Sequence, residues 1–304
     1  MKKIFLLLIV FCMSLSVFAA NRTDKMNKLM NKIVKMEFIQ EEDVPFPFDY
    51  EVHEYKDQEA INVFYTAKSK HEKNPNNFAA AYNYAMLISR KSCSEGYTIF
   101  KEHLEEAYKI LEHARKINPN YLPLYQEQER VIDYRLFADF KLVPGPVWDC
   151  LSYRMGIYAE NLSWAQKRLN AIKNQARLGA KEVNYLEAAI LCLVLGNQSG
   201  YESYLQKAGE EKLKEEIESS LYNVLQEFSW SYSRSESWVE QEADIKNFEG
   251  THLNRMKKYF GKYLPQSEAY RELDSYLKKC KTEIAKKRNQ DYAKKMKQEI
   301  ISSF

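Results

Sequence analysis

Five histidines, the cysteines and forty-two carboxylates are the groups from which this chain would have to build reactive chemistry. His53, His71, His103, His113 and His252 show no HExxH or other metal-ligand spacing. His103 and His113 fall in one helical pattern but stand ten positions apart, almost three turns, too far to share an ion. No GxSxG elbow, phosphate-binding P-loop or GxGxxG turn occurs. No pair of carboxylates is set apart by its context. Beyond residue 20 the cysteines are Cys93, Cys150, Cys192 and Cys280, spaced neither as a CxxC redox pair nor as a zinc module. Cys192 lies in the apolar run Ala188 to Leu195 and reads as a small buried side chain. A bridge such as Cys93–Cys150 stays open. The sequence therefore predicts no catalytic, cofactor-binding or metal-ligating residue, and an enzyme on this chain would need a site dispersed over distant helices.

Aromatic clustering points to binding instead. Tyr222, Phe228, Trp230, Tyr232 and Trp238 surround a polar stretch, Ser231 to Ser237, read as a loop, and Tyr259, Phe260 and Tyr263 follow. Aromatics with a polar tip suit a peptide or sugar platform, although in helical contacts they are more often plain core.

The elements that must position these residues are helices. The chain has only nine glycines and eight prolines in 304 residues, too few for the turns that a strand-rich fold needs every ~8–12 positions. Its first twenty residues carry a positive start at Lys2 and Lys3, an apolar run from Ile4 to Val17, and small or branched residues at Val17 and Ala19. That is the pattern of a secretory signal cleaved after Ala19. The run is shorter than the roughly 20 residues a membrane-spanning helix needs. Bulky Phe11 before Cys12 argues against a lipid attachment there. Cleavage takes the formal charge from +3 to +1, which gives no reason to expect nucleic acid as a partner.

Residues 20–55 hold an amphipathic helix, with Met26, Leu29, Met30, Ile33 and Val34 at helical spacing and lysines on the other faces. Those lysines face solvent or, alternatively, an anionic membrane surface. An acidic segment with Pro45 and Pro47 follows and reads as an extended linker. From residue 56 to 215 a pattern recurs. Ala60, Phe64 and Ala67 are spaced four and then three apart, as are Ala107, Leu111 and Ala114, Tyr201, Leu205 and Ala208, and more loosely Ala165, Leu169 and Ile172. Small residues at the ends of such a stripe let a neighbouring helix approach, and the large one fills the gap. Asn74-Pro75-Asn76 and Asn118-Pro119-Asn120 close two of these helices and lead into the next. Gly196-Asn197 makes a tight turn between two others, and Pro144-Gly145-Pro146 is the sharpest break.

Paired helices, the recurring stripe and the closing Asn-Pro together resemble the tetratricopeptide repeat. The clearest unit is Phe78 to Asn120, with about ten extra residues between its helices around Ser92 to Lys101; residues 182–215 keep standard spacing but lack a closing proline. The resemblance implies an all-α fold: a right-handed array of antiparallel helical hairpins, with residues 216–304 as a C-terminal helical extension. In that extension Ser237 and Glu240 form a capping box, Gly250-Thr251 marks a boundary, and a long last helix starts at Ser267.

Such repeats imply a scaffold that binds a protein or peptide without catalysis. A small-molecule accessory component of an envelope transporter is the alternative. In the first helix of the clear repeat, Tyr82, Met86, Ser89 and Arg90 lie opposite the packing pair Tyr84-Ala85 and would face the concave surface, with Arg90 placed to grip a carboxylate. Trp230 and Trp238 would form the opposing wall. The helix Val183 to Leu195 is apolar on nearly every face, so either the chain or a partner must cover it.

Overall fold

The computed structural model describes residues 21–45, 48, 58–90, 101–138 and 150–302. The segment read as a secretory signal, Cys93, the insertion at 92–100 and Pro144-Gly145-Pro146 lie outside them. The described residues are all-α, with no strand among them, and they divide into two compact units. None of their helices is long and apolar enough to cross a membrane.

Unit 1 comprises Met1–Leu142 and Asn170–Lys181. Its helices are α1 (21–35), α2 (Gln58–Lys73), α3 (Phe78–Ser89), α4 (Lys101–Ile117), α5 (Leu122–Ala138) and the second half of α7 (Leu162–Arg177). Neighbours in sequence pack together: α2 on α3, α3 on α4, α4 on α5. The predicted stripes are the contact surfaces. Ala60, Phe64 and Ala67 are buried, as are Ala107, Leu111 and Ala114. The closing prolines act one step earlier than the sequence suggests. The next helices begin at Phe78 and Leu122, three residues beyond Pro75 and Pro119. Asn77 caps α3, its side chain accepting from the Ala80 amide at 2.9 Å. The Pro119 carbonyl accepts from Tyr125 at 2.9 Å and Arg177 at 2.8 Å.

The N-terminal segment is packed where the sequence suggests a linker. Met26, Leu29 and Ile33 of α1 are buried, although Val34 is exposed. After α1 the chain reverses at Met36, whose φ of 56° lets the Glu37 amide donate to the Lys32 carbonyl at 2.9 Å. A 3-10 turn follows at Glu41–Asp43, pinned by Lys32 on Asp43 at 2.6 Å, and Pro45 and Phe48 are buried rather than strung out in solvent.

Unit 2 comprises Val143–Leu169 and Glu182–Phe304. It holds α6 (Leu151–Glu160), the first half of α7, α8 (Tyr185–Val194), α9 (Gln198–Ala208), α10 (Glu210–Arg234), α11 (Trp238–Phe248), α12 (Asn254–Phe260) and α13 (Glu268–Ser302). The apolar α8 is covered by this chain, with α6 and α9 against it and Ala188 to Cys192 buried. Gly196, at φ 74°, closes α8, and the Asn197 amide reaches back to the Cys192 carbonyl at 2.8 Å. A Cβ on Gly200 would stand 2.8 Å from Cys192 Sγ, so α9 can lie this close only because position 200 has no side chain. The third stripe is the weakest: Tyr201 is buried, while Leu205 and Ala208 are only half-buried.

Two local expectations fail beyond residue 215. Ser231 to Ser233 belong to α10, which runs unbroken to Arg234, so the polar loop is confined to the residues before Ser237. Gly250-Thr251 is no boundary: α11 passes through a π-helical turn, Glu249–Leu253, straight into α12. The capping box forms as read, Glu240 N donating to Ser237 Oγ at 3.2 Å and Ser237 N to Glu240 Oε2 at 3.1 Å. Ser267 starts α13, accepting from the Tyr270 amide at 3.0 Å.

Candidate functional site

The four candidates of α3 belong to unit 1. Tyr82 and Met86 are 1% and 2% exposed and lie in the core, not on an open concave surface. The physical reason is the composition of α3, whose apolar residues leave hardly a polar face, so the helix must be covered. The segment after α1 provides the cover, and Asn83 clamps it there. Asn83 Oδ1 accepts from the Ile39 amide at 3.1 Å, and its Nδ2 donates to the Glu37 carbonyl at 2.7 Å. Phe38 then closes an aromatic box with Phe78, Tyr82 and Tyr121, stacking on Tyr121 at 4.9 Å.

Ser89 and Arg90 meet a carboxylate of this chain. Glu127 of α5 is buried and accepts from Ser89 Oγ, and Arg90 Nη2 stands 3.1 Å from its Oε2. Arg90 also faces Glu41 at 3.5 Å, and Arg130 approaches Glu41 at 3.3 Å while donating to the Ser89 carbonyl at 3.0 Å. Burial pushes the Glu127 carboxyl above its ordinary value, and the guanidinium of Arg90 and the hydroxyl of Ser89 only partly offset this. The carboxylate grip read for Arg90 is thus taken up inside the protein.

Trp230 and Trp238 belong to unit 2. Trp230 on α10 is 59% exposed, with the Arg234 guanidinium 3.8 Å above its ring. Trp238, at the start of α11, is half-buried and donates from Nε1 to Asp291 on α13 at 3.0 Å. Of the other members of the aromatic cluster, Tyr222 is exposed and Tyr259 half-buried, while the rest are core. Phe228, Tyr232, Phe248 and Tyr276 pack with ring centroids 4.6–6.5 Å apart, and Phe260 and Tyr263 are buried.

Comparison with protein-family models, with curated proteins and with solved structures finds no match. Function has to be read from the geometry.

Two polar clusters in unit 2 escaped the sequence reading. The first joins α6, α10 and the π turn. His252 Nδ1 and Ser152 Oγ are 2.7 Å apart, Ser152 Oγ is 3.1 Å from Cys150 Sγ, and Ser220 Oγ accepts from the Leu151 amide at 2.8 Å. His252 is buried between Tyr153 and Phe248. Desolvation, helped by the nearby Arg255 charge, lowers its pKa to about 4. Ser152 and His252 stand at the separation of a nucleophile and its base, but both are sealed from solvent. What this arrangement does is fasten elements together: Ser220 supplies from α10 an acceptor for one of the amides that every helix start leaves unpaired. Cys150 is a free, buried thiol.

The second cluster sets Glu187 of α8 against Arg154 at 3.2 Å, Arg168, and the hydroxyl of Tyr158. Burial alone would raise this carboxyl, but two guanidinium groups outweigh it and hold Glu187 below its ordinary value, the reverse of singly countered Glu127. No sequence signal announces either cluster, since Ser152 and His252 are a hundred positions apart. Among the described residues no group of three or more His, Cys, Asp or Glu is placed to hold a metal ion.

Proposed function

We propose that this chain is an exported helical-repeat scaffold that binds another protein or a peptide and catalyses no reaction. The tetratricopeptide resemblance supports it, as do the packed hairpins of unit 1 and the Asn-Pro-Asn turns between them. The observation that carries the reading is Trp230, more than half exposed on α10 beneath the Arg234 guanidinium, with exposed Val239 early in α11. Tryptophan and arginine are the residues that most often dominate binding energy, and a large aromatic left in solvent gains most from being covered. Ser152 and His252, by contrast, are engaged with each other in the interior. Trp238 stands in this reading as a support, its indole N–H held by Asp291. Arg90, Ser89, Tyr82 and Met86 serve the fold.

The test is a photoreactive amino acid at position 230, introduced in the cells that make the protein, with mass spectrometry of the adducts. A discrete adduct is expected, weakened about tenfold or more by Arg234→Glu. Adducts no different from those at exposed Lys212 would remove the reading.

A further inference from the structure

α13 is two helices in one as far as packing goes. Up to Ile284 its apolar stripe, Leu273, Leu277, Cys280 and Ile284, is buried, with α10 and α11 packed against this part of the helix. α10 runs parallel to it, Ser229 meeting Tyr276 at 3.3 Å and Tyr232 reaching the Cys280 carbonyl at 3.4 Å. α11 runs antiparallel, with Lys281 on Glu249 at 2.7 Å, Lys287 on Gln241 at 3.0 Å and Trp238 on Asp291 at 3.0 Å. α11 begins at Trp238, level with Asp291, and α13 continues for another eleven residues to Ser302. Every residue from 292 to 302 is exposed.

That overhang has a second apolar stripe. Tyr292, Met296 and Ile300 follow at four-residue spacing and are 58%, 63% and 56% exposed. At 3.6 residues per turn this stripe lies about 130° round the helix from the buried one, so it points away from the core that holds the rest of α13. Cations border it on both sides: Arg288 and Lys295 along one edge, Lys286 and Lys297 along the other. With Lys287 and Lys294 the stretch 285–302 carries six cations against Asp291 and Glu299. Eleven exposed helical residues are marginal in water on their own.

We propose that the overhang of α13 lies on an anionic lipid surface, with Tyr292, Met296 and Ile300 entering the boundary between headgroups and acyl chains. An apolar sector edged on both sides by long basic side chains is the pattern of a helix that rests in a bilayer interface. The lysine stems follow the apolar surface while their charges stay at the phosphates. Tyrosine suits the headgroup level, apolar in its ring and polar at its tip. Such a surface needs no shaped groove, and a segment exposed on every side has none. A second copy of the chain would bring the same cations against themselves. The inference is independent of the protein-binding reading, because it uses neither Trp230 nor Arg234.

The experiment is co-flotation of the full chain with phosphatidylcholine vesicles, with and without about one-third phosphatidylglycerol. Wild type is compared with Lys294→Glu/Lys295→Glu/Lys297→Glu and with Met296→Asp. All share one N-terminus, so differences report α13. The charge reversal is expected to cut binding to anionic vesicles by about tenfold or more, Met296→Asp to cut it severalfold, and about 0.5 M salt to reproduce the charge effect. Circular dichroism and gel filtration verify that the variants stay folded, which their exposed positions favour. Variants that bind anionic vesicles as wild type does overturn the proposal. So does a concentration-dependent dimer abolished by Met296→Asp without any vesicle effect, which would make the stripe a self-association face. Retention by acidic proteins in place of vesicles would overturn it equally.

Discussion

At the scale of single residues, charge and burial decide more than residue type does. Glu127 and Glu187 are the same side chain in similarly buried places, yet one guanidinium leaves the first raised and two hold the second lowered. His252 shows the same physics for a base. Its lowered pKa means that the folded chain refuses a proton which the unfolded chain, with a histidine near 6.5, accepts. Stability from this residue is therefore complete above about pH 6.5 and is lost as pH falls towards about 4. The loss should reach roughly 2–3 kcal/mol. Urea unfolding of wild type and His252→Gln between pH 7 and 4 measures it, since Glu127 contributes equally to both and cancels. Parallel pH profiles for the two proteins would show that the imidazole is not desolvated as described.

At the scale of elements, the small-residue stripes set how closely helices approach. Ala107 and Ala114 are fully buried on α4, between α3 and α5, with Leu111 filling the space between them. Ala107→Leu or Ala114→Leu should cost about 1–3 kcal/mol because the added atoms have nowhere to go without shifting a helix. Equilibrium denaturation reads this directly, and unchanged midpoints for both would place those alanines outside the contact. The stripes were legible in sequence because their period is that of the helix. The π turn at Glu249–Leu253 was not. Glycine and threonine side by side read locally as a break, and the contacts that keep the chain helical through them come from residues far away, His252 on Ser152 among them.

At the scale of the whole molecule, buried apolar surface resides in the two compact units, and the end of α13 adds none of it. A chain ended after Asp291 should therefore unfold at the same denaturant concentration as the full chain, within about 0.5 kcal/mol. It should at the same time lose the vesicle binding proposed for the overhang. A large drop in stability would mean that residues 292–302 are packed against something and that their exposure is misread.

The all-helical character, the hairpin contacts, the capping box at Ser237 and the start of α13 at Ser267 follow from the sequence alone, because spacing, caps and turn residues act over one or two helical turns. What lies opposite a helix face acts at longer range and is invisible to such reading. Tyr82 and Met86 stand on the face that the repeat pattern assigns to an open groove. Only the folding back of the segment from Glu37 to Ile39 onto Asn83 turns that face into core. Likewise Arg90, a free cation by sequence, meets Glu127 from a helix some forty residues on, and nothing in its neighbourhood foretells it. Local periodicity determines which elements form and which faces are apolar. Burial, and with it the choice between core and binding surface, is decided by which distant segment arrives to cover each face.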